Sequence, residues 1–104
     1  MTENENVKIA DLKSDGMRRI NVTGKIVEVS DPREVTTRFG ENSRVATAVL
    51  QDDTGTIKLS LWNETIDKVH VNDEVQIENG YTSSFRGEIQ LNIGRFGKVT
   101  VLNR

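Results

Sequence analysis

Between Thr56 and Trp62 the chain reads TIKLSLW, and this strict alternation constrains the fold more than any other segment. Successive side chains of a strand point to opposite faces. Ile57, Leu59 and Leu61 therefore share one face, which must be a core, while Lys58, Ser60 and Trp62 share the other. Ahead of this strand, Asp52-Asp53-Thr54-Gly55 has the residue types of a tight hairpin turn. Ser43 to Gln51, SRVATAVLQ, supplies the partner strand. Asp52 and Asp53 make better sense as turn formers than as a metal pair, because adjacent carboxylates at a strand end diverge.

Other segments repeat the pattern. Ile20 to Ser30 reads INVTGKIVEVS, rich in β-branched residues. Glu74 to Glu78 reads EVQIE and Glu88 to Ile93 reads EIQLNI. Lys98 to Leu102, KVTVL, is either a last strand or an extension of the fifth. Asp31-Pro32 ends the first strand and opens a longer loop through Gly40 to Asn42. Asn63 to Val71, NETIDKVHV, fits one or two helical turns. The order is three strands, a short helical connection between the third and fourth, then two strands. That is the order of an all-β, five-stranded Greek-key OB-fold barrel, although other small barrels share it. Val7 to Met17 is expected to cover one end of the barrel with Val7, Ile9 and Leu12. Residues 1–6 read as a disordered start and residues 7–102 as one domain.

The 104 residues include only five aromatics, Phe39, Trp62, Tyr81, Phe85 and Phe96, so the core must be built mainly of Val, Ile and Leu. There is no cysteine, hence no disulfide and no thiolate metal site. No apolar run approaches the roughly 18 residues that span a bilayer. The polar, acidic N-terminus is unlike a signal peptide. A soluble, cytoplasmic, nucleoid-associated protein with no membrane contact is expected. Net charge is −2, but it is unevenly spread. Residues 63–80 hold five acidic side chains against Lys68, whereas residues 81–104 hold four basic ones against Glu88. Local field matters more to a charged ligand than net charge.

Trp62 is the most informative residue. An exposed indole beside Lys58 and Ser60 leaves a large apolar surface in water unless it meets a partner. Nucleic-acid bases would suit it, since each has a π-face. Packing under the helical connection is the other reading, and parity leaves both open. Tyr81 and Phe85 lie in Gly80-Tyr81-Thr82-Ser83-Ser84-Phe85-Arg86-Gly87, a hairpin tip with little core to enter. Alternation counted from Val75 and Ile77 puts Tyr81 on the core side, and counted from Ile89 and Leu91 it puts Phe85 there too. An outward placement needs bulges, for which Gly80 and Gly87 are the sites. Arg86 could meet a phosphate or stack on a base. Phe39 sits in the first long loop, flanked by Arg33, Arg38 and Arg44. Such a loop often closes over ligand in OB-folds. The single histidine, His70, has no partner pattern for a triad and reads as a surface residue. No glycine-rich phosphate loop occurs. No catalytic residue, metal site or cofactor is expected, so the chain does not read as an enzyme.

Two blocks carry a family resemblance. They are Asp52-Asp53-Thr54-Gly55 leading into Ile57-Lys58-Leu59-Ser60-Leu61-Trp62, and Ile77 through Gly87 leading into Gln90-Leu91-Asn92. With these the chain resembles, from about Val7 to Val101, the archaeal single-stranded DNA-binding proteins that carry one OB-fold, and their eukaryotic relatives in single-strand sensor complexes. The resemblance implies that Trp62, Tyr81 and Phe85 stack on successive bases. It also implies that Lys58 and Arg86, with Arg33 and Arg38 from the first loop, follow the backbone. Position 81 is usually tryptophan in that family, and tyrosine offers less stacking area. Many members continue into a glycine-rich charged tail that recruits proteins. This chain stops at Arg104, so recruitment through such a tail is not expected.

The function expected is sequence-tolerant binding of single-stranded DNA, protecting or marking exposed strands in replication, recombination or repair, with proteins of those processes as partners. A single-stranded RNA ligand and a protein-interaction module using the same aromatics are the alternatives.

Overall fold

The computed structural model describes residues 6–36 and 39–102, with the side chains of Asn6, Phe85 and residues 94–96 outside that description. Seven strands follow in chain order: β1 (Asn6–Val7), β2 (Ile20–Val29), β3 (Arg33–Thr36), β4 (Asn42–Asp52), β5 (Gly55–Trp62), β6 (Glu74–Phe85) and β7 (Glu88–Val101). One short helix, α1 (Glu64–Lys68), lies between β5 and β6, and a single 3-10 turn covers Ile9–Asp11.

β2, β4, β5, β7 and β6 close into a barrel, because β2 pairs with β6 through its first half and with β4 through its second. Closure leaves the five main strands without a free edge. β5 and β7 run parallel and the other barrel pairs antiparallel. This is the expected five-stranded OB-fold, with β1 and β3 added at its margins. KVTVL proves to be the end of β7, and the EVQIE strand runs on to Phe85.

Gly24 lies where β2 passes close to β4. A Cβ there would lie 2.7 Å from the Gln51 carbonyl oxygen and 2.9 Å from Leu50 Cγ. Only glycine allows β2 to cross β4 this closely.

The interior is aliphatic. Val22, Ile26, Leu50, Leu59, Leu61, Val75, Ile77 and Leu91 are fully buried. Removing one of the leucines to alanine costs about 2–5 kcal/mol in such a core. No aromatic residue with a described side chain is among the buried core residues. Ile9 and Leu12 plug one end, as their spacing suggested.

The turn between β4 and β5 holds that plug in place. Asp52 Oδ1 accepts from the Thr54 amide (2.7 Å), the Thr54 hydroxyl (2.6 Å) and the Gly55 amide (3.2 Å), closing the turn. Its Oδ2 accepts from the Ile9 amide at 2.9 Å, and Thr54 Oγ1 accepts from the Ala10 amide at 3.0 Å. Asp53 diverges to pair with Lys8 at 2.9 Å, which raises the lysine's pKa. Among the described residues, no cluster of three or more His, Asp or Glu could hold a metal ion, and no helix is long and apolar enough to cross a membrane.

Two strands escaped the sequence reading: β1, whose Asn6 falls in the start read as disordered yet pairs with Asn21 of β2, and β3. The loop after Pro32 contains β3, which pairs with β4 through Arg33↔Val45, Val35↔Ser43 and Thr36↔Asn42. Four residues with three on the exposed side, REVT, leave no burial alternation to read. Only the partner strand makes them a strand.

Candidate nucleic-acid interface

β5 follows its alternation throughout. Ile57, Leu59 and Leu61 are buried, Lys58 is exposed, Ser60 is half-buried, and Trp62 keeps 42% of its surface exposed. Cross-strand pairing sets the neighbours of this outward face. Trp62 stands opposite Val45, which stands opposite Arg33. Ser60 lies between Thr47 and Asn92, and Asn92 faces Tyr81 on β6. Lys58 lies between Val49 and Gln90, and Gln90 faces Ser83.

A groove of about 560 Å³ crosses this face. Arg33, Lys58, Trp62 and Arg86 line it together, so four residues singled out in the sequence meet in one place. Its remaining lining is mostly small, aliphatic or amide-bearing: Val35, Val45, Thr47, Ser60 and Gln90, with Glu88 as the one acid. The groove is thus walled by an indole, floored by short side chains and edged by three cations.

Tyr81 reaches the outer face through a bulge. The β6–β7 register shifts between Glu78 and Gly80, and Asn79 takes φ +57°. One extra residue in the strand inverts the parity for everything beyond it. Tyr81 is consequently 41% exposed, while Thr82, its neighbour, is buried. The bulge sits on Asn79 rather than on Gly80. Gly80 is needed for close packing instead, since a Cβ there would be 3.0 Å from the Asn92 carbonyl oxygen. The spare Asn79 amide donates to Oδ1 of the buried Asn21 at 3.1 Å.

Thr82 secures this arrangement from the inside. Its hydroxyl donates to the Ser14 carbonyl at 2.7 Å and accepts from the Met17 amide at 2.9 Å. Its backbone exchanges bonds of 3.0 Å with Gly16 and Met17. The Ser84 hydroxyl adds a bond of 3.0 Å to Asp15. The segment before β2 therefore clasps the back of β6 and leaves Tyr81 on the outward face, beyond the residues that line the groove.

Phe85 ends β6, four residues beyond Tyr81, and pairs with Glu88. Arg86 and Gly87 form a two-residue turn with φ +54° and +81°, as a type I′ hairpin requires. Residues flanking such a turn pair with each other, so alternation counted through it from Ile89 miscounts. Gly87 serves the turn and not a bulge. The Phe85 side chain lies outside the described residues.

Four other residues fare differently. Phe39 is 81% exposed and falls near the tip of the β3–β4 hairpin, outside the lining of the groove. Arg38 lies outside the described residues. Arg44 is drawn to the helix, where its guanidinium meets Asp67 at 3.1 Å. His70 is exposed, with Nδ1 3.7 Å from the carboxylate of the buried Asp73. Glu88, Gln90 and Thr47 were missed; parity in EIQLNI sets Glu88 and Gln90 opposite Ile89 and Leu91, whereas Thr47 shares its parity with Val45 and Val49 and carries no such signal.

The family described as single-stranded DNA binding protein Ssb-like, OB fold, matches residues 5–101. This chain belongs to that family. The Ssb-like chain is 35% identical to single-stranded DNA binding protein Ssb of Saccharolobus solfataricus over 92 residues, which are 88% of this chain and 61% of that protein. It is 37% identical to replication factor A of Methanothermobacter thermautotrophicus over 98 residues, 88% of this chain and 12% of that much longer protein. Among solved structures, an OB domain from Thermoplasma acidophilum superposes with a TM-score of 0.80 at 26% identity, covering 94% of this chain and 87% of the other. The OB-fold read from the order of strands, and the family resemblance read from the two motif blocks, are thereby matched in three dimensions and in sequence.

Proposed function

We propose that this chain binds single-stranded DNA with little sequence preference, stacking bases on Trp62, Tyr81 and Phe85 while Lys58, Arg86 and Arg33 meet phosphates. The observation that carries the reading is the indole of Trp62, 42% exposed in a groove edged by Arg33, Lys58 and Arg86. An aromatic platform beside cations is the arrangement by which sequence-tolerant binders hold a single strand, each base adding about 1–3 kcal/mol. The names of the relatives, a single-stranded DNA binding protein and a replication factor, support DNA as the ligand. Phe39, near the tip of the β3–β4 hairpin, would add a contact to a bound strand, as would Arg38 beside it in sequence. The chain performs no reaction. It covers exposed strands during replication, recombination or repair, and proteins of those processes are its partners. An OB-fold covers about 4–16 nucleotides, and with one short groove this chain is expected to cover a number toward the low end. Three full phosphate contacts would set a ceiling of about −2 on the slope of log K against log salt.

Fluorescence of Trp62, the single tryptophan, tests the reading during titration with short oligo-dT at two salt concentrations. Saturable quenching that weakens with salt is expected. Stronger binding of a matched RNA oligonucleotide would change the ligand. No quenching and no mobility shift with either would overturn the proposal in favour of a protein-binding surface.

A further inference from the structure

The groove contains one group that works against a polyanion. Glu88 Oε1 lies 3.1 Å from Lys58 Nζ, and both side chains remain about half exposed, at 56% and 46%. Glu88 is the first residue of β7, directly after the Arg86-Gly87 turn, and Lys58 reaches it across Gln90. The pair also marks a boundary. Lys58 and Glu88 line the groove that holds Trp62, and they line a second hollow of about 280 Å³ over Ile9, Leu12 and Ile57. The ion pair therefore closes the groove at the end nearest the N-terminal plug.

We infer that Glu88 is an affinity-limiting and specificity-determining residue, which holds Lys58 in reserve so that a phosphate gains it only by displacing the carboxylate. This rests on the single-strand reading above. A phosphate arriving at Lys58 must replace an existing ion pair and tolerate Glu88 beside it. The contact then adds little net attraction and releases little condensed counterion. Binding falls to ligands that use the aromatic platform, because polyanions lacking bases gain least from a groove with a carboxylate at its mouth. An exposed pair is weak enough to open on encounter, so the device tunes affinity without blocking entry.

The test compares the wild-type chain with Glu88→Gln, Lys58→Ala and the double variant, using oligo-dT and an abasic oligonucleotide of equal length across a salt series. Glu74→Gln, at the far end of β6, controls for net charge. Glu88→Gln is expected to tighten oligo-dT binding about two- to fivefold, the range open to an exposed ion pair. It should also steepen the salt slope by about 0.7, one single-strand phosphate. The abasic strand should gain more than oligo-dT. Lys58→Ala should weaken binding more in the Glu88→Gln background than in the wild type. Unchanged affinity and slope in Glu88→Gln would overturn the inference, as would an equal gain in Glu74→Gln or an equal effect of Lys58→Ala in both backgrounds. In each of those cases the wild type still binds. A wild type that binds no oligonucleotide would instead remove the reading underneath.

Discussion

Asn79 and Tyr81 are coupled through one backbone bulge, in which the left-handed conformation of the first, at φ +57°, turns the second out of the core. Without the inserted residue, Tyr81 would occupy the parity of Val75 and Ile77, both fully buried. Asparagine tolerates this conformation where a β-branched residue does not. Asn79→Val should cost about 1–2 kcal/mol in urea denaturation. It should also weaken oligo-dT binding, because relief of the strain removes the bulge and withdraws Tyr81. Asn79→Gly should keep both properties near wild type. Equal binding by the valine variant would show that Tyr81 is not part of the interface.

Trp62 and Tyr81 differ in what a change should do. Trp62→Ala should reduce affinity for oligo-dT by about 1–3 kcal/mol. Because 42% of the indole is already in water, its unfolding midpoint should stay close to the wild-type value. Tyr81→Trp enlarges the stacking surface. It should tighten binding, and isothermal titration of the three proteins against one oligonucleotide measures both effects.

Thr82 offers a test of what holds β6 in place. Thr82→Val keeps the volume but leaves the Ser14 carbonyl and the Met17 amide without their shared hydroxyl. Stability should fall by about 1–3 kcal/mol, the loss of two part-buried hydrogen bonds at about 0.5–1.5 kcal/mol each. Hydrogen exchange should accelerate first at the amides of Gly16, Met17 and Thr82. Uniform acceleration over the whole barrel would argue against a local clasp.

Acid should loosen the plug through Asp52. Partial burial acts to raise the pKa of this carboxyl, but bonds from the Thr54 hydroxyl and from the amides of Ile9, Thr54 and Gly55 together hold it below its ordinary 3.8. The folded protein thus binds this proton less readily than the unfolded chain does. Its stabilising contribution is complete above the ordinary value and is lost as the pH falls through the lowered one. Asp52→Asn should be less stable than wild type at neutral pH, and the two should converge below pH 3.8. Denaturation at a series of pH values, with a constant gap between the proteins as the contrary result, decides this.

Some of the molecule is legible in the residues alone. The alternation of Ile57, Leu59 and Leu61 against Lys58, Ser60 and Trp62 is a property of a strand by itself, so the outward face of β5 could be read without any partner. The turn at Asp52-Asp53-Thr54-Gly55 is equally local, because its bonds lie within four residues. The succession of strands and the helical connection followed from such signals. The faces of Tyr81 and Thr82 did not, since they depend on a bulge whose spare amide is met by Asn21, 58 residues away. β3 has no pattern of its own and exists because β4 is beside it. The gathering of Arg33, Trp62, Lys58 and Arg86 in one groove, and the pairing of Lys58 with Glu88, were also decided by tertiary structure. Periodicity is written in neighbouring residues, whereas register, closure and the company a side chain keeps are set by segments that meet only when the barrel closes.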